Sequence, residues 1–355
     1  MTEYTSDGKL RSLLTGEQSS IDVRRKVVDA TYYGTTVPAT HRPKYKIDPD
    51  VRLVTPNALP HLALAPESVP DHYTIIGAGK TAMDVAVWLL GARVPASKIS
   101  WVMPRDSWLL NRVTTQPGLE FFDKAIGGQA AQMEAFANSQ TTQELFLKLE
   151  AAGVMLRIYE DVGPTMFHYA TISLGEVEAL RAVTNVIRQG HVHSITYAGV
   201  ALEGGTVALP ENTLYIDCTA SAVEKRPAVP IFQPGRIVCQ LVRAPQPAFS
   251  AALVAYVEAN YTDDQTRNAV CATVPFPDRP DDYPCTVLAN MRNEQVWNGD
   301  STLRSWIRKS RLDGFGKIVA QVPPDDREKM KVLLRVRDAM MPAAANLQRL
   351  AALQD

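Results

Sequence analysis

The chain has 355 residues, and its 37 Lys and Arg against 38 Asp and Glu leave a formal charge of −1, without the basic surplus of a nucleic-acid binder. At 46% hydrophobic and 21% charged it has the composition of a globular protein with ample core, and its length suits about two domains. Its four cysteines, Cys218, Cys239, Cys271 and Cys285, are too few for a disulfide framework in a chain this long, and with no C-x-x-C pair among them neither a redox dithiol nor a zinc knuckle is expected.

The polar start Met1–Ser12 lacks the apolar core of a signal peptide, and no apolar run approaches the ~20 residues of a membrane helix. The expectation is a cytoplasmic α/β protein with neither nucleic-acid nor membrane partners. The first twenty residues read as loose. A short strand follows over Lys26–Ala30, ending in Asp29-Ala30-Thr31. A proline-rich connector then runs through Pro38, Pro43, Pro49, Pro56 and Pro60, where fixed φ and missing donors exclude helix.

The clearest pattern lies between Tyr73 and Met103. Tyr73-Thr74-Ile75-Ile76 is a β-type run that stops at Gly77. From Gly79, Ala82, Ala86, Leu89 and Leu90 recur with helical spacing until Gly91 and Pro95. Ile99–Met103 is the next strand, completing a βαβ unit. Beyond it, 118–153 reads as mostly helical, with Phe121, Phe122, Met133, Phe136, Leu145, Phe146 and Leu149 as core. Val154–Tyr159 reads as a strand, and Gly175–Ile187 as a helix with Val177, Leu180, Val183 and Ile187 on one face. A meander of short strands fills 191–217 around the Gly204-Gly205 turn.

Ile237–Val242 is a strand, and Ala248 to about Ala259 a helix. The last sixty residues are helical and charged. Pro323-Pro324-Asp325-Asp326 starts a helix with Met330, Leu333, Leu334, Met340 and Met341 as its apolar stripe, and Pro342 is expected to break it.

Gly77-Ala78-Gly79-Lys80-Thr81-Ala82 fits G-x-G-x-x-G/A between a strand and a helix. Gly77 permits the tight turn, Gly79 lets a pyrophosphate approach the backbone, and Ala82 lets helix and strand pack closely. These six residues are the candidate dinucleotide site. A P-loop is excluded, because Thr74 stands where its first glycine must be. Lys80 reads as a solvated lysine, and Asp84 as a complement to the helix dipole. Cofactor choice falls to Arg105 and Asp106, just after the second strand. Arg105 suits a 2′-phosphate and favours NADP(H); Asp106 would instead accept from a ribose hydroxyl and take NAD(H).

Val27-Val28-Asp29-Ala30-Thr31-Tyr32 and Tyr215-Ile216-Asp217-Cys218-Thr219-Ala220 share a β-run followed by D-[A/C]-T. With the Gly77 loop between them, the chain resembles flavoproteins with two dinucleotide-binding domains. That group includes flavin-containing monooxygenases and pyridine nucleotide-disulfide oxidoreductases. The resemblance covers roughly residues 22–260. It implies an NAD(P) domain inserted into a FAD domain, with the two D-x-T strands marking the crossings. Ile237–Ala259 would then be the last FAD-domain strand and helix.

The departures are equally specific. The glycine loop that holds FAD in such proteins has no counterpart before Val27, where only Gly8 and Gly16 occur. The acidic residue before the last FAD-domain helix is replaced by Gln246-Pro247-Ala248-Phe249-Ser250. The missing C-x-x-C excludes the disulfide-reductase branch and leaves the monooxygenase-like one.

The resulting expectation is an α/β protein: a Rossmann-type NAD(P)-binding domain inserted in an incomplete FAD-type domain, with a helical C-terminal region. Residues 1–70 form the tail, crossover strand and connector, and 71–214 the NAD(P) domain. Residues 215–290 form the return strand and the rest of the FAD-type domain, and 291–355 the helical region. The implied activity is that of an NAD(P)H-dependent flavoprotein oxidoreductase in which NADPH reduces FAD, here N-terminally truncated and not retaining FAD alone. The alternatives are a non-catalytic NADP(H)-binding sensor and one subunit of a split flavoenzyme. A FAD-domain partner chain or self-association is expected, the substrate is unassigned, and no catalytic acid, base or nucleophile stands out.

Other candidates read as structural. His191 and His193 alternate on an edge hairpin without a third metal ligand. His41, Arg42 and Lys44 lie on an exposed connector that borders a cofactor cleft in the second reading. Arg304, Arg308, Lys309 and Arg311 near Trp306 make a solvated helix face, and Ser250 reads as an N-cap or first-turn residue.

Overall fold

A computed structural model describes residues 2–4, 9–62, 69–220, 223 and 226–353. Early Gly8 lies outside them. The chain divides into two compact units, Met1–Tyr33 with Lys225–Val274, and Gly34–Glu224 with Pro275–Asp355.

The first unit holds two small sheets. Thr2–Tyr4, Lys9–Ser12 and Gln18–Ser20 pair antiparallel, so the start of the chain is an exposed meander where a loose segment was expected. Gly16 supplies the positive φ of its second turn. In the other sheet Val27–Asp29 runs parallel to Arg236–Val238, which pairs antiparallel with Phe232–Gln233. The helices Pro247–Asn260 and Asp264–Val270 complete this unit. Ser250 is a buried brace inside the first of them and not its cap. Its hydroxyl accepts from the Val242 and Arg243 N–H groups and donates to the Gln246 carbonyl.

The second unit is a mixed α/β body built on a parallel sheet. In chain order its strands are β1 (Arg52–Val54), β2 (His72–Ile76), β3 (Ile99–Val102), β4 (Val186–Ile187) and β5 (Thr213–Asp217). All pair parallel, in the order β4-β3-β2-β5-β1. The helix α1 (Lys80–Gly91) joins β2 to β3. It buries Ala82, Met83, Val85, Ala86 and Leu89 against Ile75, Ile99, Trp101 and Ile216, the face that its 3.6-residue periodicity predicts. A boundary drawn at 214/215 falls inside β5.

The meander Val192–Thr196, Gly199–Leu202 and Gly205–Ala208 forms as expected and takes Lys46–Ile47 as a fourth strand. The expected helix over 175–187 is shorter. A capping box between Ser173 and Glu176 starts it, and it spans Leu174–Leu180. Val183 and Ile187 are buried, as a helical stripe requires, but Ile187 belongs to β4. Trp101 N–H donates to the Asn185 carbonyl and Met103 N–H to that of Ile187, so sheet pairing overrides the helical spacing. Val154–Tyr159 contributes only Met155–Leu156, paired with Ser107–Asn111.

The helices Phe122–Asn138 and Thr142–Ala151 pack with Tyr283–Gly299 and Arg327–Ala352 around Phe136, Phe146, Tyr283 and Leu347. Pro342 does not break the last helix; it sits on the exposed side of a continuous run. The turns on either side of it are held by contacts to the Phe122–Asn138 helix and its end. Arg335 pairs with Glu134, Asn346 donates to the Phe136 and Ser139 carbonyls, and Arg349 to those of Ser139 and Gln140. The buried residues of that stretch are Ala343, Leu347 and Leu350, whereas Met340 and Met341 are exposed.

Candidate functional site

The carboxyl end of β2 is where the sheet order reverses. The chain moves from β2 to β3 and β4 on one side, then returns to β5 on the other. Such a switch point leaves a crevice beyond the strand ends in open α/β sheets. The Gly77 loop stands at that end, directly after β2.

Gly77 has φ +118, a left-handed conformation that favours glycine. A Cβ there would lie 2.7 Å from the Cys218 carbonyl oxygen, so the loop and the end of β5 approach as closely as they do only because this residue has no side chain. The approach is fixed on both sides: Gly77 N–H donates to the Val102 carbonyl at 3.0 Å, and Cys218 N–H to that of Ile76 at 2.8 Å. The buried Trp101 indole N–H donates to the Gly77 carbonyl at 2.7 Å. Because the peptide is planar and trans, this turns the Ala78 N–H away from the core and toward the loop's open side.

Gly79 differs in kind. Its φ is −79, and a Cβ there would meet nothing within 4 Å. The space over it is free for an approaching group. Gly79 is also the N-cap of α1, and no side chain caps that helix. The first-turn N–H groups of a 12-residue helix thus face the opening with their positive dipole end. Ala82 is fully buried under the first turn. A tight turn, an open glycine and an uncapped helix start are what a pyrophosphate requires.

Lys80 leaves the loop. Its ammonium pairs with Asp84 one turn on, and with Glu176 at 3.1 Å, so Lys80 is half-buried rather than solvated. Asp84 lies beyond the first turn and serves as that partner. Glu176 also pairs with Arg112 at 3.0 Å. Burial works to raise the Glu176 carboxyl, but hydrogen bonds from the Ser173 hydroxyl and N–H, then Lys80, hold it down at about 2. Thr81 is half-buried at the helix start.

The two residues expected to read the ribose have separate partners. Arg105 makes a bidentate pair with Asp278, at 3.2 and 3.1 Å, and His168 Nε2 lies 2.7 Å from the same carboxylate. The Arg105 hydrogen bond holds the Asp278 carboxyl far below its ordinary value; burial opposes and His168 adds to the lowering. Asp106 makes a bidentate pair with Arg188, at 2.8 and 3.0 Å, just beyond β4. The Arg188 guanidinium lies 4.7 Å from the centre of the Tyr159 ring.

The two D-x-T turns have one geometry. Asp29 accepts from the Thr31 N–H at 2.9 Å and hydroxyl at 2.7 Å; Asp217 accepts from the Thr219 N–H at 3.1 Å and hydroxyl at 2.7 Å. Each ends a strand with parallel neighbours. His41, on the proline-rich connector, reaches back to β5: its Nε2 lies 3.2 Å from the Thr219 hydroxyl. Sequence spacing gave no sign of this contact, or of the Cys218, Asp278, Arg188 and Glu176 partners.

His191 and His193 are exposed, and His191 pairs with Glu203. Arg304, Arg308, Lys309 and Arg311 are exposed. Among the described residues no group of three His, Cys, Asp or Glu is placed to hold a metal, and no helix is long and apolar enough to cross a membrane.

No family model matches the chain. It is 38% identical, over 350 residues and 99% of its length, to uncharacterized proteins of Mycobacterium tuberculosis and Mycobacterium bovis. The chain spans 64% of the length of these relatives. Among solved structures, L-lysine 6-monooxygenase from Pseudomonas syringae aligns with a TM-score of 0.27 and 13% identity, covering 60% of this chain and 49% of that one.

Proposed function

We propose that the second unit binds a nicotinamide dinucleotide, NADP(H) in preference to NAD(H), at Gly77–Ala82. Its activity would be that of an NAD(P)H-dependent oxidoreductase of the flavoprotein monooxygenase-like kind. The observation that carries this reading is the pair of unlike glycines at the sheet's switch point. Gly77 is pressed against Cys218, while Gly79 faces open space at an uncapped helix start.

The cofactor would supply a hydride; the protein's part is to bind and orient it. The backbone of Gly77–Gly79 and the first turn of α1 would hold the pyrophosphate. Trp101 would keep the Ala78 N–H directed outward. Arg105 gives two of its five N–H donors to Asp278. Three remain for a 2′-phosphate, and the Asp278 carboxylate fixes the plane in which they point.

The resemblance implies flavin as the hydride's next stop. The described residues of the first unit contain no strand–glycine–helix element that fits a second pyrophosphate, so no residue is assigned to flavin and no step to it. Calorimetric titration with NADPH and NADH tests the proposal. Saturable binding at one per chain, tighter for NADPH, is expected; no binding of either would overturn it.

A further inference from the structure

Resting on the dinucleotide reading, we propose that His41 is the residue that meets the nicotinamide carboxamide, held in one tautomer by Thr219 and Asp217.

The switch point divides the carboxyl edge into a side with β3 and β4 and a side with β5. Ribose recognition beyond the second strand assigns the adenosine half to the β3 side, where Arg105 and Asp106 stand. The nicotinamide half then falls to the β5 side, whose edge is Asp217-Cys218-Thr219. The Cys218 carbonyl abuts Gly77, so Thr219 is one residue from the loop contact. The connector brings two side chains to this edge: Tyr45 lies against Asp217 and Cys218, and His41 reaches Thr219.

The hydrogen bonds fix its chemistry. Asp217 is buried, and its carboxylate can only accept. The Thr219 hydroxyl, 2.7 Å from it, therefore spends its proton on Asp217. Toward His41 the same hydroxyl can only accept, so His41 Nε2 must carry the proton it donates at 3.2 Å. In the neutral ring this leaves Nδ1 as a bare lone pair. No described residue bonds to that nitrogen, and the side chain is half-buried at the crevice edge. A carboxamide NH2 is the complementary donor. The chain Asp217–Thr219–His41 thus turns a carboxylate buried under the sheet edge into an acceptor of set direction. Asp217 and Thr219 are positioning residues; His41 makes the contact.

The test compares NADPH with 2′-phospho-ADP-ribose, which lacks only the nicotinamide. Wild-type protein should bind both. His41→Ala should weaken NADPH roughly five- to tenfold, the worth of one hydrogen bond, and leave 2′-phospho-ADP-ribose unchanged. Thr219→Val should reproduce part of that selective loss, and Thr219→Ser should restore it. In the free protein, nitrogen NMR should show His41 as the Nε2–H tautomer. Equal loss for both ligands, no loss for either, or an Nδ1–H tautomer in the wild type would overturn the role of His41 while leaving the Gly77 site standing. Failure of the wild type to bind either ligand would overturn the site itself and this assignment with it.

Discussion

Gly77 and Cys218 meet so closely that a methyl group on the glycine would lie 2.7 Å from the Cys218 carbonyl oxygen. This contact ties the turn after β2 to the end of β5. It also separates the structural glycine of the loop from Gly79, where an added Cβ would meet nothing within 4 Å.

The two glycines should therefore respond unequally to the same change. Gly77→Ala must relieve both a positive φ and a backbone clash, and should destabilise the protein by roughly 1–3 kcal/mol. Gly79→Ala occupies open space at a permitted φ, so it should cost less than about 1 kcal/mol, the loss of an N-cap glycine being offset by the lower entropy of the unfolded chain. Denaturant unfolding of the two variants checks this. Equal costs would mean that the Cys218 contact does not constrain the loop.

Arg105→Ala should weaken NADPH by about 1.5–3 kcal/mol, the scale of a charged hydrogen bond, with NADH hardly changed. Titration of the variant with both cofactors is the check. A similar loss for both would make the Arg105–Asp278 pair purely structural. A loss of NADH alone on replacing Asp106 with Asn would shift ribose recognition to Asp106.

Glu176 sets an acid limit. Its folded value of about 2 lies below the ordinary 4.5, with burial opposing and Ser173 and Lys80 prevailing. A carboxylate lowered on folding stabilises fully above its unfolded value, and that contribution fades as pH falls from 4.5 toward 2. Glu176→Gln should be less stable than wild type at neutral pH, and the gap should close across that window. A gap of the same size at both ends would show that Lys80, Arg112 and Ser173 do not depend on the Glu176 charge.

What the sequence disclosed was local chemistry. Gly77, Gly79 and Ala82 are legible because they form one six-residue pattern between a strand and a helix, and the two D-x-T turns because Asp and Thr bond two positions apart. The partners of the candidate residues come from far along the chain. Asp278 reaches Arg105 across 173 residues, and Thr219 reaches His41 across 178. No spacing rule encodes either pair. Val186–Ile187 was hidden for another reason: a two-residue buried strand shows no alternation, and Val183 with Ile187 fits a helical stripe equally well. Pro342 was misleading because the loss of one backbone hydrogen bond is offset by the packing of Leu347 and Leu350 and by Asn346 and Arg349.

If a dinucleotide lies over Gly79, Gly79→Val must displace it. Valine fills the open space while the loop's contacts to Val102, Trp101 and Cys218 stay in place. NADPH titration of wild type and variant, beside their unfolding midpoints, is the measurement. The account predicts at least a tenfold loss of affinity, about 1.4 kcal/mol, with the fold intact. Equal affinity in the two folded proteins would contradict it, because the pyrophosphate would then lie elsewhere.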